Sequence, residues 1–480
     1  MTERQEIGLT IKKEQDFSEW YTQLLQKAEL IEYSGVSGCY ILRPQAYAIW
    51  EKIKHYLDTR FKAVGVKNAY FPLLIPEHLL TKESEHIKGF SPEVAWVTQT
   101  GETKLKERLA IRPTSETIMY ESYSKWIRSY KDLPLRLNQW CNIIRWEFKH
   151  PVPFLRSREF LWQEGHTAFA TQQEALKEAY QILDIYEDCY KELLAVPTLK
   201  GKKSDKEKFA GADLSLSLEI FLPNKKAIQG CTSHHLGQNF STAFDIKYID
   251  KDKKKKYVHQ NSWGFSTRTM GILIAIHSDN KGLVLPPLLA EHKIVIVPIL
   301  FEERKKELLK QGKQLKKTLK AFNPVVDERE DYRPGWKYNE WELKGIPLRL
   351  ELGPKDIEKK QVVLVRRDTG KKERVKIKDV KKKVEVLLKK IQKDLYTKAN
   401  KFLHDNIENV KTWEQAQQAL KNKKIIFGSW CKDENCETTI KDKTNGVKSL
   451  NISLDSKQKG KRCFHCQAVA KEEAYFSRSY

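Results

Sequence analysis

The placement of cysteine constrains this chain more than any other feature of its sequence. Four of its eight cysteines form two close pairs near the end of the chain, Cys431-x4-Cys436 and Cys463-x2-Cys466. Two close pairs of thiols on either side of a loop are the usual ligand pattern of a tetrahedral zinc site. We therefore predict a small metal-stabilised unit here, with these four cysteines as ligands. His465, inside the second pair, is an alternative to one of the thiolates.

The other four cysteines and the hydropathy of the chain indicate its cellular compartment. Cys39, Cys141, Cys189 and Cys231 are scattered along the chain, which favours a reducing cytosol over a disulfide framework. Apolar runs stay well short of the roughly 20 residues that span a membrane. Residues 1–17 lack the apolar core of a secretory signal. These features predict a cytoplasmic location and no membrane partner.

The net charge indicates a polyanionic partner. Lys and Arg number 87 against 63 Asp and Glu, which gives a formal net charge of +24. A protein this basic is expected to bind nucleic acid. The alternative is an AT-rich genome that favours lysine codons.

The length of 480 residues and the positions of its prolines predict about three domains. The first part opens with amphipathic helices at Asp16–Leu30 and Gln45–Val64, followed by a buried strand at Ala69–Pro76. Pro286 and Pro287 mark a boundary, and beyond it apolar strands alternate with helices, as is typical of an α/β domain. The cysteine cluster occupies the last 80 residues.

A first arginine element surrounds a loop that contains Pro151 and Pro153. Two strands joined by this stiff loop would place Arg145 and Arg156 on one face, where guanidinium groups match the oxygens of a polyphosphate. In the same element, Glu147 can accept a hydrogen bond from an exocyclic amine and Phe160 can stack on a purine ring. The alternative is a set of ordinary surface ion pairs.

A second arginine element runs from Asn261 to Gly271 and leads into the apolar run Ile272–Ile276. Arg268 begins this buried helix, and Gly264 permits close approach of a ligand to the backbone. An arginine in such a place needs a partner, and phosphate is a suitable one. An arginine that caps a core helix would give the same pattern.

Taken together and in order, these two elements resemble motifs two and three of the class II aminoacyl-tRNA synthetases, and Gly65–Pro72 resembles motif one. The chain resembles most closely the prolyl-tRNA synthetases of the eukaryote/archaeal-like type. That resemblance rests on Arg112–Thr117 (RPTSET), Arg156–His166 (RSREFLWQEGH) and Gln229–Gln238 (QGCTSHHLGQ). It implies an α+β multidomain fold with an antiparallel-sheet class II catalytic domain (1–288), an α/β anticodon-binding domain (289–400) and a C-terminal zinc-binding α/β domain (401–480).

The resemblance also implies site residues for an ATP-dependent ligase that joins L-proline to tRNA(Pro). Arg145 and Arg268 would be the catalytic arginines. The implied ATP-binding residues are Arg145, Glu147, Arg156, Phe160, Gln229, Thr232 and Arg268. The implied proline-binding residues are Phe90, Glu93, Thr114, Glu116, Arg145, Trp162, Glu164, His166 and His234. Cys231 departs from the small glycine or alanine that related enzymes often carry at this position.

Further implied features are magnesium at Gln229 and Thr232, a structural zinc ion at the four paired cysteines, and a homodimer built on motif one. Glu340, Glu342 and Arg349 are candidates for reading anticodon guanines, with surface salt bridges as the alternative. Basic helix faces such as Lys305–Lys320 would contact tRNA phosphates, which makes binding salt-dependent.

Fidelity is a separate expectation. Missing methylenes give only about 1–3 kcal/mol of discrimination, so alanine is expected to be charged by mistake. Some relatives insert an editing domain between motifs two and three. The 108 positions from Phe160 to Arg268 leave no room for one, so we expect a separate alanyl-tRNA(Pro) deacylase as a partner.

Three other readings compete. The chain could be a threonyl or histidyl enzyme of class II, against which the Thr114–Glu116 and TSHH segments argue. It could be an inactive synthetase-like module that senses uncharged tRNA or scaffolds a complex. It could also be a generic RNA-binding zinc protein, which would leave the two arginine elements unexplained.

Overall fold

The computed structural model describes residues 8–86, 93–147, 149–456 and 460–480. Its first region begins with two of the predicted helices. Asp16 starts the first of them, since its carboxylate accepts hydrogen bonds from the backbone N–H groups of Ser18 and Glu19. Pro44 occupies the first turn of the second. The helices of this region are α1 (Phe17–Lys27), α2 (Pro44–Ala63), α3 (Glu77–His86), α4 (Glu116–Trp126), α5 (Gln172–Asp188), α6 (Asn239–Ala243) and α7 (Arg268–His277).

Strands of the same region belong to the main sheet and to three small sheets beside it. They are β1 (Ile31–Tyr33), β2 (Tyr40–Leu42), β3 (Lys67–Asn68), β4 (Leu74–Pro76), β5 (Trp96–Thr100), β6 (Thr103–Ile111), β7 (Leu135–Ile144), β8 (Glu159–Phe169), β9 (Leu199–Lys202), β10 (Leu214–Phe221), β11 (Ala227–Gly237), β12 (Lys247–Ile249), β13 (Lys255–Tyr257) and β14 (His259–Ser266). The strand predicted over Ala69–Pro76 is wrong in extent. Only Leu74–Pro76 pairs, with β6, and residues 69–73 lie outside any strand.

The main sheet is antiparallel at its centre, where the neighbours run β10-β11-β14-β8-β7. Helix α5 covers one face and buries Ile182, Leu183 and Tyr186. Tyr186 packs against Phe265 of β14, with ring centroids 5.2 Å apart. The opposite face of the central strands stays open to the site described below.

The predicted α/β unit is confirmed. Its elements are β15 (Ile294–Pro298), α8 (Lys305–Thr318), β16 (Val325–Val326), α9 (Pro334–Leu343), β17 (Leu348–Leu352), α10 (Pro354–Glu358), β18 (Gln361–Arg366), β19 (Lys372–Lys376) and α11 (Val380–Asp405). The five strands are ordered β16-β15-β17-β18-β19, and β15 runs parallel to both of its neighbours. The interior is aliphatic, as the continuous apolar strands predicted.

The C-terminal segment contributes β20 (Ile407–Val410), α12 (Trp413–Lys421), β21 (Ile425–Trp430), α13 (Glu434–Lys443), β22 (Lys448–Ser453) and β23 (Glu472–Ser477). The strands of this segment extend the main sheet, because β22 pairs with β9 through Ile452 and Ser453. Gly201 makes this junction possible: a Cβ there would lie 2.3 Å from the carbonyl oxygen of Ile452. The result is one eleven-stranded sheet, ordered β20-β21-β23-β22-β9-β10-β11-β14-β8-β7-β3.

Among the described residues, no helix combines the length and apolar character that crossing a bilayer requires.

Candidate active site

A cavity of about 460 Å³ opens on the free face of the central strands and brings both arginine elements together. Most of the predicted site residues line it. They are Thr114, Glu116, Arg145, Glu147, Phe160, Trp162, Glu164, His166, Gln229, Thr232, His234 and Arg268. Arg156 lines a smaller cavity beside it. Glu93 is not among the residues lining the cavity, although its carbonyl oxygen accepts a hydrogen bond from the Trp146 backbone N–H. Phe90 lies outside the described residues.

Strand geometry explains why side chains distant in sequence meet here. Trp162, Glu164 and His166 alternate along β8, so they project from one face of the sheet. Gly264 of β14 stands between Glu164 on one neighbouring strand and Thr232 on the other. Gly264 lines the cavity, and a Cβ there would lie in van der Waals contact with the Trp162 ring, 3.4 Å away.

The two catalytic candidates are arginines held by backbone carbonyls. The Arg145 Nε donates to the carbonyl of Pro113 (3.1 Å), and its guanidinium lies 5.3 Å from the ring centroid of Trp162. Arg268 donates from Nε to Leu155 (3.1 Å) and from Nη1 to Gln229 (3.2 Å). Burial lowers the pKa of Arg268, and the charge of Arg145 lowers it further. Guanidinium groups that crowd each other in this way create a site for an anion.

Glu164 organises the other end of the cavity. Its carboxylate accepts hydrogen bonds from the Ser115 backbone N–H (3.0 Å) and from Gln139 Nε2 (3.2 Å), and it lies 3.1 Å from His166 Nε2. Burial by itself would raise the pKa of Glu164, but the hydrogen bond and charge of His166, with bonds from Ser115 and Gln139, lower it to about 2. Glu164 therefore fixes the start of α4, from which Thr114 and Glu116 reach the cavity.

The pKa values of the two pocket histidines are shifted in opposite directions. Burial disfavours the imidazolium of His166, but the charges of Glu116 and Glu164 raise its pKa above the ordinary value. Burial, and then the charge of Lys203, lower the pKa of His234 to about 3, which leaves that ring neutral. Both ring nitrogens of His166 have partners, Glu164 at Nε2 and the Tyr120 hydroxyl at Nδ1, so neither is free to act as a general base. This fits the expectation that His166 shapes the pocket.

The Glu164–His166 pair predicts a pH dependence of stability. Replacing Glu164 with Gln should lower the free energy of unfolding by about 2 kcal/mol at pH 5–6, the size of a charge-assisted hydrogen bond. The Glu164 contribution is present above its ordinary pKa of 4.5 and is lost as pH falls toward 2. The His166 contribution is present below 6.5 and is lost as pH rises through its raised pKa.

Urea unfolding of the wild type and of Glu164→Gln across this pH range checks the prediction. Glu121→Gln on α4 is the control, since its pair with Lys125 is exposed and contributes little. A stability difference that stays constant from pH 3 to pH 9 would contradict the assignment.

Several lining residues were missed by the sequence analysis. Lys203 directly follows β9, Glu207 and Phe209 lie in the segment after it, and Ser215 belongs to β10. The rings of Phe209 and His234 stack with centroids 4.8 Å apart. Ser215 Oγ lies 2.8 Å from Nδ1 of the same histidine. These residues belong to no motif, so no local signal in the sequence marks them.

The four paired cysteines converge as predicted. Their sulfur atoms all lie within 4.8 Å of one another, with Cys436–Cys463 at 3.9 Å and Cys431–Cys466 at 3.6 Å. Zn–S bonds of about 2.3 Å in a tetrahedron separate sulfurs by about 3.8 Å, so the donor set fits zinc. His465 Nδ1 approaches Cys436 Sγ at 3.2 Å, yet the mutually close set consists of the four thiols.

The anticodon candidates form ion pairs within the α/β unit. Arg349 is buried and bonds Glu342 (2.9 Å) and Glu351 (3.0 Å). Glu340 pairs with Arg329 and, at 3.1 Å, with Lys344. This is the salt-bridge arrangement that was the alternative reading, and a role in reading guanines stays a prediction.

Comparison with known families covers most of the chain. Residues 97–277 match the family described as "tRNA synthetase class II core domain (G, H, P, S and T)". Residues 293–387 match "Anticodon binding domain", and residues 413–480 match "Prolyl-tRNA synthetase, C-terminal".

Individual relatives are similar over nearly the whole chain. Identity is 46% over 470 residues with the proline–tRNA ligase of Natranaerobius thermophilus, covering 97% of each protein. It is 46% over 484 residues with the cytoplasmic proline–tRNA ligase of Arabidopsis thaliana, covering 99% of this chain and 91% of that one. Identity is 48% over 499 residues with the bifunctional glutamate/proline–tRNA ligase of Cricetulus griseus. That alignment covers 99% of this chain and 33% of the longer relative. By full-length similarity and by its three matching domains, the chain belongs to the proline–tRNA ligase family of class II aminoacyl-tRNA synthetases.

Proposed function

We propose that this chain activates L-proline with ATP and transfers it to tRNA(Pro). The observation that carries the proposal is the single cavity that joins Arg145 and Arg268 to the buried Thr114–Glu116 corner. In the first step a carboxylate oxygen of proline attacks the α-phosphorus. The bond from that phosphorus to the bridging oxygen breaks, and pyrophosphate leaves with the electron pair. In the second step the tRNA 3′-terminal ribose hydroxyl attacks the prolyl carbonyl and AMP leaves.

No protein nucleophile takes part in this reaction. Catalysis rests on positioning and on neutralising the charge that develops on phosphate, which arginines perform well. Arg145 would hold the α-phosphate and the proline carboxylate, while Arg156 and Arg268 hold the γ-phosphate end. Glu147 would accept from the adenine amine and Phe160 would stack on the ring. In the second step the adenylate phosphate accepts the proton.

The proline end of the cavity recognises a cation without reacting with it. Glu116 would pair with the prolyl ammonium, and the other lining residues shape the pocket around the ring. They are Thr114, Trp162, Glu164, His166 and His234. Phe90 and Glu93 would close over it.

Magnesium fits the neutral oxygen donors of Gln229 and Thr232, which line the cavity, since Mg²⁺ takes oxygen ligands and shares them with substrate phosphates. When bound with ATP it would neutralise phosphate charge. The four cysteines would hold zinc in a structural role. Functional units at 1–288, 289–400 and 401–480 would supply catalysis, anticodon binding with Glu340, Glu342 and Arg349, and metal binding.

ATP–pyrophosphate exchange with each amino acid in turn tests the function. Proline should support the fastest exchange and alanine a slower one, because a pocket cannot exclude a smaller side chain by size. Fastest exchange with threonine or histidine would overturn the pocket assignment. No exchange with any amino acid would favour an inactive tRNA sensor.

The same preparation tests editing. Residues 161–267 are all described, and their strands β8 to β14 belong to the catalytic sheet or to its β12–β13 hairpin. This supports an enzyme without a hydrolytic domain in cis, which depends on a separate deacylase. Alanyl-tRNA(Pro) should therefore persist with the purified enzyme. Its rapid hydrolysis would contradict the proposal.

We also propose a homodimer formed through an apolar patch beside motif one, comprising Tyr70, Trp126, Tyr130 and Ile249. Tyr70 is 72% exposed and Trp126 51% exposed. The neighbouring strand β3 ends the eleven-stranded sheet, so its outer edge is available for pairing. Exposed aromatic side chains of this size commonly mark a protein interface.

Tyr70→Glu combined with Trp126→Glu should weaken association at least 100-fold, the loss expected from two interface anchors. Sedimentation equilibrium would then report the 56.2 kDa chain in place of twice that mass. Tyr180→Glu, at another exposed tyrosine, is the control and should leave the mass unchanged. A wild-type protein that sediments as a monomer would refute the dimer.

A further inference from the structure

A buried serine stands beside one of the pocket histidines. Ser215 of β10 lies directly opposite His234 of β11 in the antiparallel register, and both residues line the cavity. Ser215 Oγ accepts a hydrogen bond from the backbone N–H of Phe209 (2.9 Å) and lies 2.8 Å from His234 Nδ1. The hydroxyl group is therefore held between the chain segment that follows β9 and the imidazole ring.

The single proton of this hydroxyl determines the tautomer of the histidine. The Ser215 oxygen already accepts from Phe209, and a serine hydroxyl has one proton to donate. In the part of the chain that the structure describes, His234 Nδ1 is the acceptor for that proton. Burial and the charge of Lys203 lower the pKa of His234 to about 3, so the ring is neutral. A neutral ring that accepts at Nδ1 carries its own proton on Nε2.

The orientation of the ring is fixed as well. The Phe209 side chain stacks on the His234 ring with an angle of 29° between the two planes. Together with the bond to Ser215, this contact restricts rotation of the imidazole. His234 Nε2 has no hydrogen-bond partner among the described residues, and the histidine lines the cavity. The Nε2–H group is therefore left to donate to a bound ligand.

We propose that Ser215 is a positioning residue that holds His234 as a neutral Nε2–H donor for the carboxylate of L-proline. The proposal rests on the proposed function, in which proline occupies this end of the cavity beside Arg145. An N–H donor cannot pair with the prolyl ammonium, which is also a donor. The two carboxylate oxygens are the hydrogen-bond acceptors that proline offers. A neutral donor also suits the adenylate, in which one of these oxygens becomes an uncharged carbonyl oxygen.

Nitrogen-15 NMR of the histidines in the full chain tests the tautomer without requiring catalysis. The resonances of His234 are identified by their absence from the spectrum of His234→Gln. At neutral pH they should show a protonated Nε2 and an unprotonated Nδ1, and addition of L-proline should shift the Nε2 signal. A proton on Nδ1, an imidazolium, or an Nε2 signal that saturating proline leaves in place would overturn the proposal.

Amino-acid-dependent ATP–pyrophosphate exchange tests the role of the serine. Ser215→Ala should raise the KM for proline about fivefold to tenfold, the effect of one lost hydrogen bond, and leave the KM for ATP unchanged. The KM for alanine should rise by the same factor, because alanine carries the same carboxylate. Ser217→Ala is the matched control: it removes a buried hydroxyl from the same face of β10, where Ser217 Oγ has no hydrogen-bond partner in the described structure. Its KM for proline should equal that of the wild type.

The two measurements separate positioning from a general structural defect. An unchanged KM for proline in Ser215→Ala, or an equal rise in the KM for ATP, would overturn the proposal. Wild-type protein that shows the Nε2–H tautomer and the proline-dependent shift but catalyses no exchange would contradict the proposed function. That result would still support the assignment of Ser215 and His234.

Discussion

Replacing Arg145 with Gln should slow proline-dependent ATP–pyrophosphate exchange about 10²–10³-fold, the usual loss when one preorganised donor is removed from a charged transition state. Arg145 is placed for that role. Its Nε is anchored on the carbonyl of Pro113 and its guanidinium lies against Phe160 and Trp162, so the free nitrogens are oriented before substrate binds. Arg145→Lys should restore little of the exchange activity, because an ammonium group cannot reproduce the planar set of donors on a guanidinium.

The exchange assay should be accompanied by a thermal unfolding curve, since lost activity is informative only in a folded protein. Arg374→Gln is the control, an exposed arginine on β19 of the α/β unit, and it should exchange at the wild-type rate. Exchange by Arg145→Gln within threefold of wild type would remove Arg145 from the reaction.

Removing two of the paired cysteines should unfold the C-terminal segment while the catalytic part stays folded. Metal binding contributes about 10–16 kcal/mol to the folding of small zinc peptides, and the apolar cluster around Cys436 and Cys463 is small. Cys436→Ser with Cys463→Ser should therefore abolish stoichiometric zinc. It should also lower the stability of residues 407–477 by several kcal/mol. The ladder between β22 and β9 has two residue pairs, so we expect the loss of stability to be largest on the C-terminal side of that junction.

Metal analysis and hydrogen exchange check this outcome together. Amides of β21, β22 and β23 should lose protection, while those of β8 and β14 keep it. Cys39→Ser is the control, at a half-exposed cysteine far from the cluster in sequence. A double variant that still binds one zinc ion per chain, or keeps full protection, would refute the four-cysteine assignment.

Local patterns were sufficient for the elements that bury a regular stripe. Helices α1 and α2 and the alternation of strands and helices in the α/β unit lie where the sequence patterns placed them, because a buried face must repeat with the helical or strand period. The prediction was wrong at Ala69–Pro76. Phe71 and Ile75 of that apolar run are buried, but residues 69–73 pair with no strand. An apolar run indicates burial and does not show whether the backbone has a partner strand.

The sequence by itself determined the family, the two arginine elements and the four-cysteine cluster, since each is carried by residue types at short, fixed spacing. Only the tertiary structure decided that β22 joins the catalytic sheet at Gly201, that the neighbours of Glu164 lower its pKa, and that Lys203 and Lys448 line one cavity with Arg268. The physical reason is the same in each case. Strand pairing, burial and the pKa of a carboxylate depend on neighbours that lie far away along the chain, and short-range patterns carry no record of them.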